Sequence, residues 1–388
     1  MKRPHSICRS HARERGFSLV ELMVALAIGG ILLGGAVTLF INNRSNYQIS
    51  TDLARLQENA RFALDMMAKD IRMAGYFGCV TNPAGAVAGT VGSNIVGVPA
   101  GALWDPTNAI EGLDDASNIW RPGPGTVTIA AGLIPAGTGG QTPYQILKGT
   151  DAITLRYLLG DLSDNGNAAG AATPDGTPDW RVTNATTNAI TVNYFDTVTT
   201  TGAAMQVNTV AGIADCGSAE LFIVNSNATN PITPLNSLSR TYTASSKPTV
   251  APFRGVRYYI GSDDNAQPAL YRAVIQAGPT EVPQMLFEGV ENMQILYGVD
   301  TVNASGQPQP DGNPDTYVSA DAVTAWNRVV TVRIGLLLRT AQFGQSGANL
   351  AKLGVNGKVR VAGQLVTFPD NDRRRRRVFE TTAQARNL

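Results

Sequence analysis

The strongest constraint on this chain is a run of 25 residues, Phe17 to Ile41, whose only charged member is Glu21. As a helix at 1.5 Å per residue it is about 37 Å long, enough to cross a bilayer. A carboxylate in hydrocarbon costs roughly 2.5–3.5 kcal/mol on insertion scales, and such a group usually has a dedicated partner. Ahead of the run, Lys2, Arg3, Arg9, Arg13 and Arg15 outweigh Glu14. That excess predicts a cytoplasmic start, with everything after Ile41 on the far side. A secretory signal cut after Gly34-Gly35-Ala36 is one reading and a plain signal anchor another. The signal is opposed by the length of the run, the depth of Glu21 and the apolar residues beyond Ala36. The anchor explains span and orientation but leaves the carboxylate without a reason.

A third reading accounts for the carboxylate. The stretch Arg15-Gly16-Phe17-Ser18-Leu19-Val20-Glu21, a basic leader ending in Gly and followed by Phe and an apolar helix with an early Glu, resembles the prepilin motif of type IV pilins. The resemblance implies that a prepilin peptidase/N-methyltransferase cuts between Gly16 and Phe17 and methylates the new terminus. It also implies that Glu21 pairs with the terminal amine of a neighbouring pilin. Both charges are poorly solvated there, so each stabilises the other only when the subunits are in register. Gly29, Gly30, Gly34 and Gly35 allow close helix approach, and Gly30-x-x-x-Gly34 fits a packing face; ordinary transmembrane glycines are an equal alternative. Major pilins usually carry a proline in this helix. Here there is none, and Thr38 lies in that vicinity.

Cleavage after Gly16 would change the chemistry available. Both histidines, His5 and His11, and one of three cysteines, Cys8, lie in the leader. Lys plus Arg falls from 31 to 26 and Asp plus Glu from 30 to 29, so the net charge moves from +1 to −3. Without histidine there is no Ser-His or Cys-His nucleophile pair and no His-ligated metal. No enzyme activity and no cofactor are expected. The remaining Cys79 and Cys216, beyond a membrane in an oxidising compartment, are most simply a disulfide. Two free buried thiols are the alternative. Closing that loop of 137 residues would stabilise by about 5 kcal/mol on the loop-entropy model.

Ile49, Leu53, Leu56, Ala60, Ala63, Met67, Ile71 and Ala74 recur at spacings of three and four, an apolar stripe that continues the helix. Arg61, Asp65 and Lys69 share the other face, and Gly75 is a stop signal. A break near Asn42-Asn43 is the alternative. The expected organisation is a leader at 1–16, a transmembrane or filament-core helix at 17–41, its amphipathic continuation at 42–75 and a head at 76–388. In the head, strand-like runs include Ala152–Leu158, Ala189–Phe195, Val256–Ile260, Ala269–Ile275, Met293–Tyr297, Val329–Leu338 and Val378–Ala383. Gly261–Pro268 reads as a hairpin turn, Ser319–Trp326 as a short helix, and Thr81–Gly125 and Gly160–Thr187 as long surface loops. The expected fold class is α+β, with the long pilin helix packed on an antiparallel β-sheet head.

Several head segments carry a narrower resemblance. Ile71-Arg72-Met73-Ala74-Gly75-Tyr76-Phe77-Gly78-Cys79, Gly149-Thr150-Asp151-Ala152-Ile153-Thr154-Leu155-Arg156-Tyr157, Ala214-Asp215-Cys216-Gly217 and Val378-Phe379-Glu380-Thr381-Thr382 are similar to PilW-type minor pilins. This implies a membrane-anchored minor pilin acting in type IV pilus assembly, with other major and minor pilins, the prepilin peptidase and the inner membrane as partners. The family is associated with initiating or capping the filament. A pseudopilin of type II secretion is the nearest rival; a tip adhesin or DNA-binding module is another.

Three further constellations have a plainer reading. Asp161 to Asn167, Asp263-Asp264-Asn265, and Asp300 with Asp311-Gly312-Asn313-Pro314-Asp315 hold oxygen ligands, but none matches an EF-hand loop, and Asp and Asn favour turns. Arg373 to Arg377 is read as a solvated loop or a subunit contact, and nucleic acid is not the expected partner. Tyr258, Tyr259 and Tyr271 in the hairpin suit cross-strand packing better than adhesion.

Overall fold

The computed structural model describes residues 18–78, 91–93, 103, 105–106, 108–114, 119–120, 127–128, 146–159, 182–192, 207–215, 217–226, 231–246, 248–263, 267–276, 280–301, 311–340, 358–367 and 374–387. Two compact units are distinguished, one ending at Arg55 and one beginning at Leu56. A single helix, α1 (Leu19–Met73), runs without interruption past Asn42-Asn43. It ends through Ala74 and Gly75, the latter at φ +79°, a left-handed conformation that glycine adopts without a Cβ penalty. The Gly75 N–H donates to the Arg156 carbonyl at 3.0 Å, so the chain leaves the helix already bonded to the sheet.

The strands in chain order are β1 (Val91–Ser93), β2 (Ile110–Leu113), β3 (Ile119–Trp120), β4 (Val127–Thr128), β5 (Ala152–Leu158), β6 (Val182–Thr186) and β7 (Ala189–Val192). Next come β8 (Val210–Ala214), β9 (Ala219–Ser226), β10 (Thr233–Pro234), β11 (Tyr242–Thr243), β12 (Thr249–Ser262), β13 (Pro268–Gln276) and β14 (Thr280–Glu288). The last are β15 (Val290–Val299), β16 (Thr316–Val318), β17 (Val329–Arg339), β18 (Lys358–Val361), β19 (Gln364–Thr367) and β20 (Arg376–Gln384). The largest sheet follows the order β1-β9-β8-β12-β13-β14, with β10 on β9, β5 on β12 and β2 on β5. β12 is its spine. Thr249–Pro252 pair with β8, Phe253–Tyr258 with β5, and Val256–Ser262 with β13 on the other edge. β14 carries Pro283 and closes that path. A second sheet has the order β16-β15-β17-β20, and a third the order β11-β6-β7. Among the described strands, every pairing apart from β1 on β9 is antiparallel.

Both faces of the spine are covered, which explains why its strands read as almost continuous apolar runs rather than alternating ones. Val256, Tyr258 and Ile260 face the core shared with the helix residues Ala60, Ala63, Met67 and Ile71 and with Met293, Ile295 and Ile334 of the second sheet. Phe253 and Tyr259 face a second core with Leu158, Leu221 and Tyr271. Along β8 and β9 the same period of two sends Val210 and Leu221 to that second core, and Ala211, Ile213 and Phe222 to a third core over β6, β7 and β11.

The observed elements extend or correct the expected ones. The hairpin across 261–268 is present, while β2 and β6 lie inside stretches read as loops. Ser319–Trp326 holds only the short 3₁₀ turns Ala320–Ala322 and Trp326–Arg328. The β18–β19 hairpin, which sequence reasoning missed, turns through Ala362 (φ +47°) and Gly363 (φ +86°), the two positive φ values of a type I′ turn. It sits on Gly335 of β17, where an added Cβ would lie 2.7 Å from the Ala362 backbone nitrogen. Backbone cannot swing aside as a side chain can. Gly335→Ala is therefore expected to lower stability by about 1–3 kcal/mol, the usual cost of overpacking. An unchanged urea midpoint would show that the hairpin is not seated there.

Candidate assembly site

The N-terminal part of α1 is apolar. Leu19, Met23, Leu26, Ile31, Leu33 and Phe40 are all exposed, and by length and composition the helix can cross a membrane. Ser18 caps it: its Oγ accepts the Glu21 N–H at 3.1 Å and its carbonyl accepts the Leu22 N–H. Ser18-Leu19-Val20-Glu21 thus has the S-x-x-E form of a capping box, a signal that reading the motif for its charge alone overlooked. Glu21 stands in the first turn, where free N–H groups and the helix dipole favour an anion. Gly16 and Phe17 lie outside the described residues.

Farther along, a Cβ added at Gly29, Gly30, Gly34 or Gly35 would meet nothing within 4 Å among the described residues. The Thr38 hydroxyl donates to the Gly34 carbonyl at 2.8 Å, satisfying a polar group locally in an apolar segment. The Arg61–Asp65 pair is present at 3.8 Å but almost fully exposed, and such pairs contribute little.

From Leu56 onward the helix belongs to the head, and its stripe of Leu56, Ala60, Ala63, Met67, Ile71 and Ala74 is buried. Within this apolar contact is a carboxylate, Asp70, only 5% exposed. It accepts hydrogen bonds from the Tyr157 hydroxyl at 2.8 Å, the Tyr258 hydroxyl at 2.6 Å and the Arg272 guanidinium at 3.1 Å. Arg272 also donates to the Tyr258 oxygen at 3.0 Å. Burial, with the Asp70 charge beside them, pushes both phenols well above their ordinary value, so each remains a neutral donor. One helix residue is thereby tied to β5, β12 and β13 together. A parallel device lies on the same sheet: Arg156, with no exposed surface, pairs with Glu111 at 2.7 Å and donates to the Asn108 carbonyl at 2.6 Å.

The other predicted constellations take structural roles. Tyr259 and Tyr271 are in register and stack at 5.5 Å between ring centroids, and all three hairpin tyrosines are buried, so no adhesive aromatic surface forms there. The arginine run is only partly solvated, because it enters β20. Arg376 is buried and bonds Glu291 through two nitrogens at 2.6 and 2.9 Å, and Arg339 joins the same carboxylate at 3.2 Å; Arg373 lies outside the described residues. The Asp-rich turn is pinned by its own carboxylates. Asp300 accepts the Gly312 N–H, Asp315 the Thr301 N–H and Asp311 the Asn313 N–H. Among the described residues no three Asp, Glu, His or Cys groups converge as a metal centre. Asp161 to Asn167, Asp264 and Asn265, and both Cys79 and Cys216, lie outside the described residues.

Removing one partner from a buried charge network leaves the others unpaired, at a cost of about 3–5 kcal/mol. Asp70→Ala is expected to destabilise the head by that amount in urea unfolding. A loss below about 1 kcal/mol would mean that the apolar stripe alone seats the helix.

Two family models match the chain. Residues 257–387, from within β12 through β20, match the family described as Type IV Pilus-assembly protein W. Residues 11–37, spanning the predicted cleavage point and the start of α1, match the prokaryotic N-terminal methylation motif. No curated protein and no solved structure matches it. The methylation motif at one end and the PilW match across the strands at the other support reading the chain as a PilW-type pilin.

Proposed function

We propose that this pilin enters type IV pili by inserting α1 among the helices of other pilins, and that it initiates or caps the filament. The observation that carries the reading is the first turn of α1, where Glu21 is the lone charge in an apolar helix whose large side chains are exposed. Cleavage between Gly16 and Phe17 would create an amine four residues from Glu21, still largely protonated near neutral pH. Such an amine on one subunit and Glu21 on the next are complementary charges, costly apart in low dielectric and stabilising together. Before assembly the helix would anchor the protein in the inner membrane with the head in the periplasm, and after assembly the head would be extracellular. The partners in this reading are other pilins and the prepilin peptidase/N-methyltransferase. A pseudopilin of type II secretion would share the helix, but the match to the pilus-assembly family favours the pilus.

Glu21→Ala is expected to leave the membrane-bound amount unchanged or higher while lowering the amount in sheared pili at least about tenfold, given what losing one member of a buried pair costs. Immunoblots of the membrane and pilus fractions measure both. A fall in the membrane fraction, or undiminished entry into pili, overturns the docking role.

The cysteine pair is part of the same proposal. A Cβ at Gly78, immediately before Cys79, would lie 3.1 Å from the Ala214 Cβ, two residues before Cys216. The segment after Ala214 is held by Asp215, which accepts the Gly217 and Ser218 N–H groups and pairs with Arg240 at 2.7 Å. Non-reducing peptide mapping of protein from its native compartment is expected to show Cys79 joined to Cys216 and an N-methylated Phe17. Free thiols at both positions remove the disulfide, and an intact leader removes the processing.

A further inference from the structure

The foot of the β15–β16 connection carries a carboxylate that the fold satisfies on one side only. Asp300 directly follows β15 and is 1% exposed. Its N–H donates to the Arg328 carbonyl at 2.9 Å, and its Oδ2 accepts the Gly312 N–H at 2.7 Å. Its Oδ1 is buried and has no hydrogen-bond partner among the described residues. A charged oxygen taken out of water and left unpaired is costly. Because both oxygens sit on one carbon, the bond to Gly312 also holds Oδ1 beside the 311–313 turn. Arg328 does not supply the missing partner, since its Nη1 donates to the Thr301 carbonyl at 2.9 Å. More oxygen donors stand at the same turn. Val299 pairs with Thr316, which sets Asp315 across from Asp300, and Asp315 accepts the Thr301 N–H at 2.7 Å. Asp311 is exposed and uses Oδ1 to accept the Asn313 N–H at 2.8 Å. Asn313 is exposed as well.

We propose that this turn is a calcium site, with Asp300 Oδ1 as its buried ligand and Asp311 and Asp315 as its exposed ones. Calcium takes six to eight oxygens and accepts carbonyl and solvent oxygens beside carboxylates. It therefore does not need the three-acid centre that the described residues lack. The exposed Asp311 and Asp315 side chains turn toward an ion that the fixed Asp300 holds in place. The donors are all hard oxygens, with no sulfur or imidazole among them, which disfavours zinc and copper. Their irregular arrangement suits calcium better than magnesium, which demands near-octahedral geometry. A bound ion would neutralise the buried charge and tie the two ends of the β15–β16 connection together at the margin of the second sheet. The inference goes beyond the pilus reading and does not depend on it. It concerns the head alone, so its failure would leave the helix docking tested by Glu21→Ala untouched.

The test is calorimetric titration of CaCl2, and separately of MgCl2, into the mature full-length protein in neutral-detergent micelles after removal of bound ions with EDTA. The expected result is one calcium per chain with a Kd of about 0.1–1 mM, the range of extracellular calcium modules, and magnesium at least about tenfold weaker. Asp300→Asn keeps an acceptor for the Gly312 N–H but removes the charge, and is expected to weaken calcium binding at least about tenfold, since ligand charge sets affinity. If that variant does not fold, judged by its circular-dichroism melt, Asp311→Ala decides the question, because its side chain is exposed and its loss is expected to weaken binding at least about threefold. No calcium binding by the unaltered chain up to about 10 mM, well above that range, overturns the proposal and leaves Asp300 as a carboxyl that the fold holds without a cation. Binding that neither variant weakens places the ion elsewhere and also overturns it, as does magnesium bound as tightly as calcium.

Discussion

A carboxylate buried under a β-sheet is tolerable only if the sheet delivers its hydrogen-bond donors to the right place, and Asp70 imposes that requirement on the head. Three strands must arrive with Tyr157, Tyr258 and Arg272 in register before the charge is satisfied. Apolar contacts alone would let the helix slide or rotate by a residue at modest cost, since Ala60, Ala63 and Ala68 offer a smooth face. The hydrogen bonds to Asp70 do not permit that: a turn of the helix by one residue carries the carboxylate away from all three donors. The specificity of the seat therefore comes from polar groups, and its area from apolar ones.

The same helix meets opposite demands along its length. Toward its start nearly every side chain is apolar, the Glu21 N–H and the Thr38 hydroxyl are bonded within the helix, and the Glu21 carboxylate is the exception. Toward its end, only one stripe is apolar and the remaining faces carry Arg61, Asp65 and Lys69. The change of pattern separates a segment apolar and long enough to cross a membrane from one that packs on a folded head.

The helix, its C-terminal glycine and the longer strands were legible because each depends on local periodicity. The strands β2 and β6 were not, because they are short and part of what selects them lies far along the chain: Ile110–Leu113 pairs with β5, and Val182–Thr186 pairs with β11 besides its hairpin neighbour β7. The β18–β19 hairpin escaped for a related reason, as an alanine at positive φ gives no turn signal of the kind Asn or Gly provides. Asp70 looked like one more charge on a helix, since the residues that receive it lie 87 to 202 positions away. Glu21 could be singled out from sequence because its oddity is local, a lone charge in an apolar run. The arginine run misled in part, because strand alternation turns Arg376 inward to Glu291 and Arg377 outward, a distinction that composition does not carry.

Pro283 lies in the last strand of the largest sheet's path. A strand at the margin of a sheet can template the addition of another chain. Proline has no N–H to offer, so β14 lacks one ladder donor at Pro283. Among the described strands, the margin of the largest sheet thus carries a residue that interrupts the row of donors on which strand addition depends.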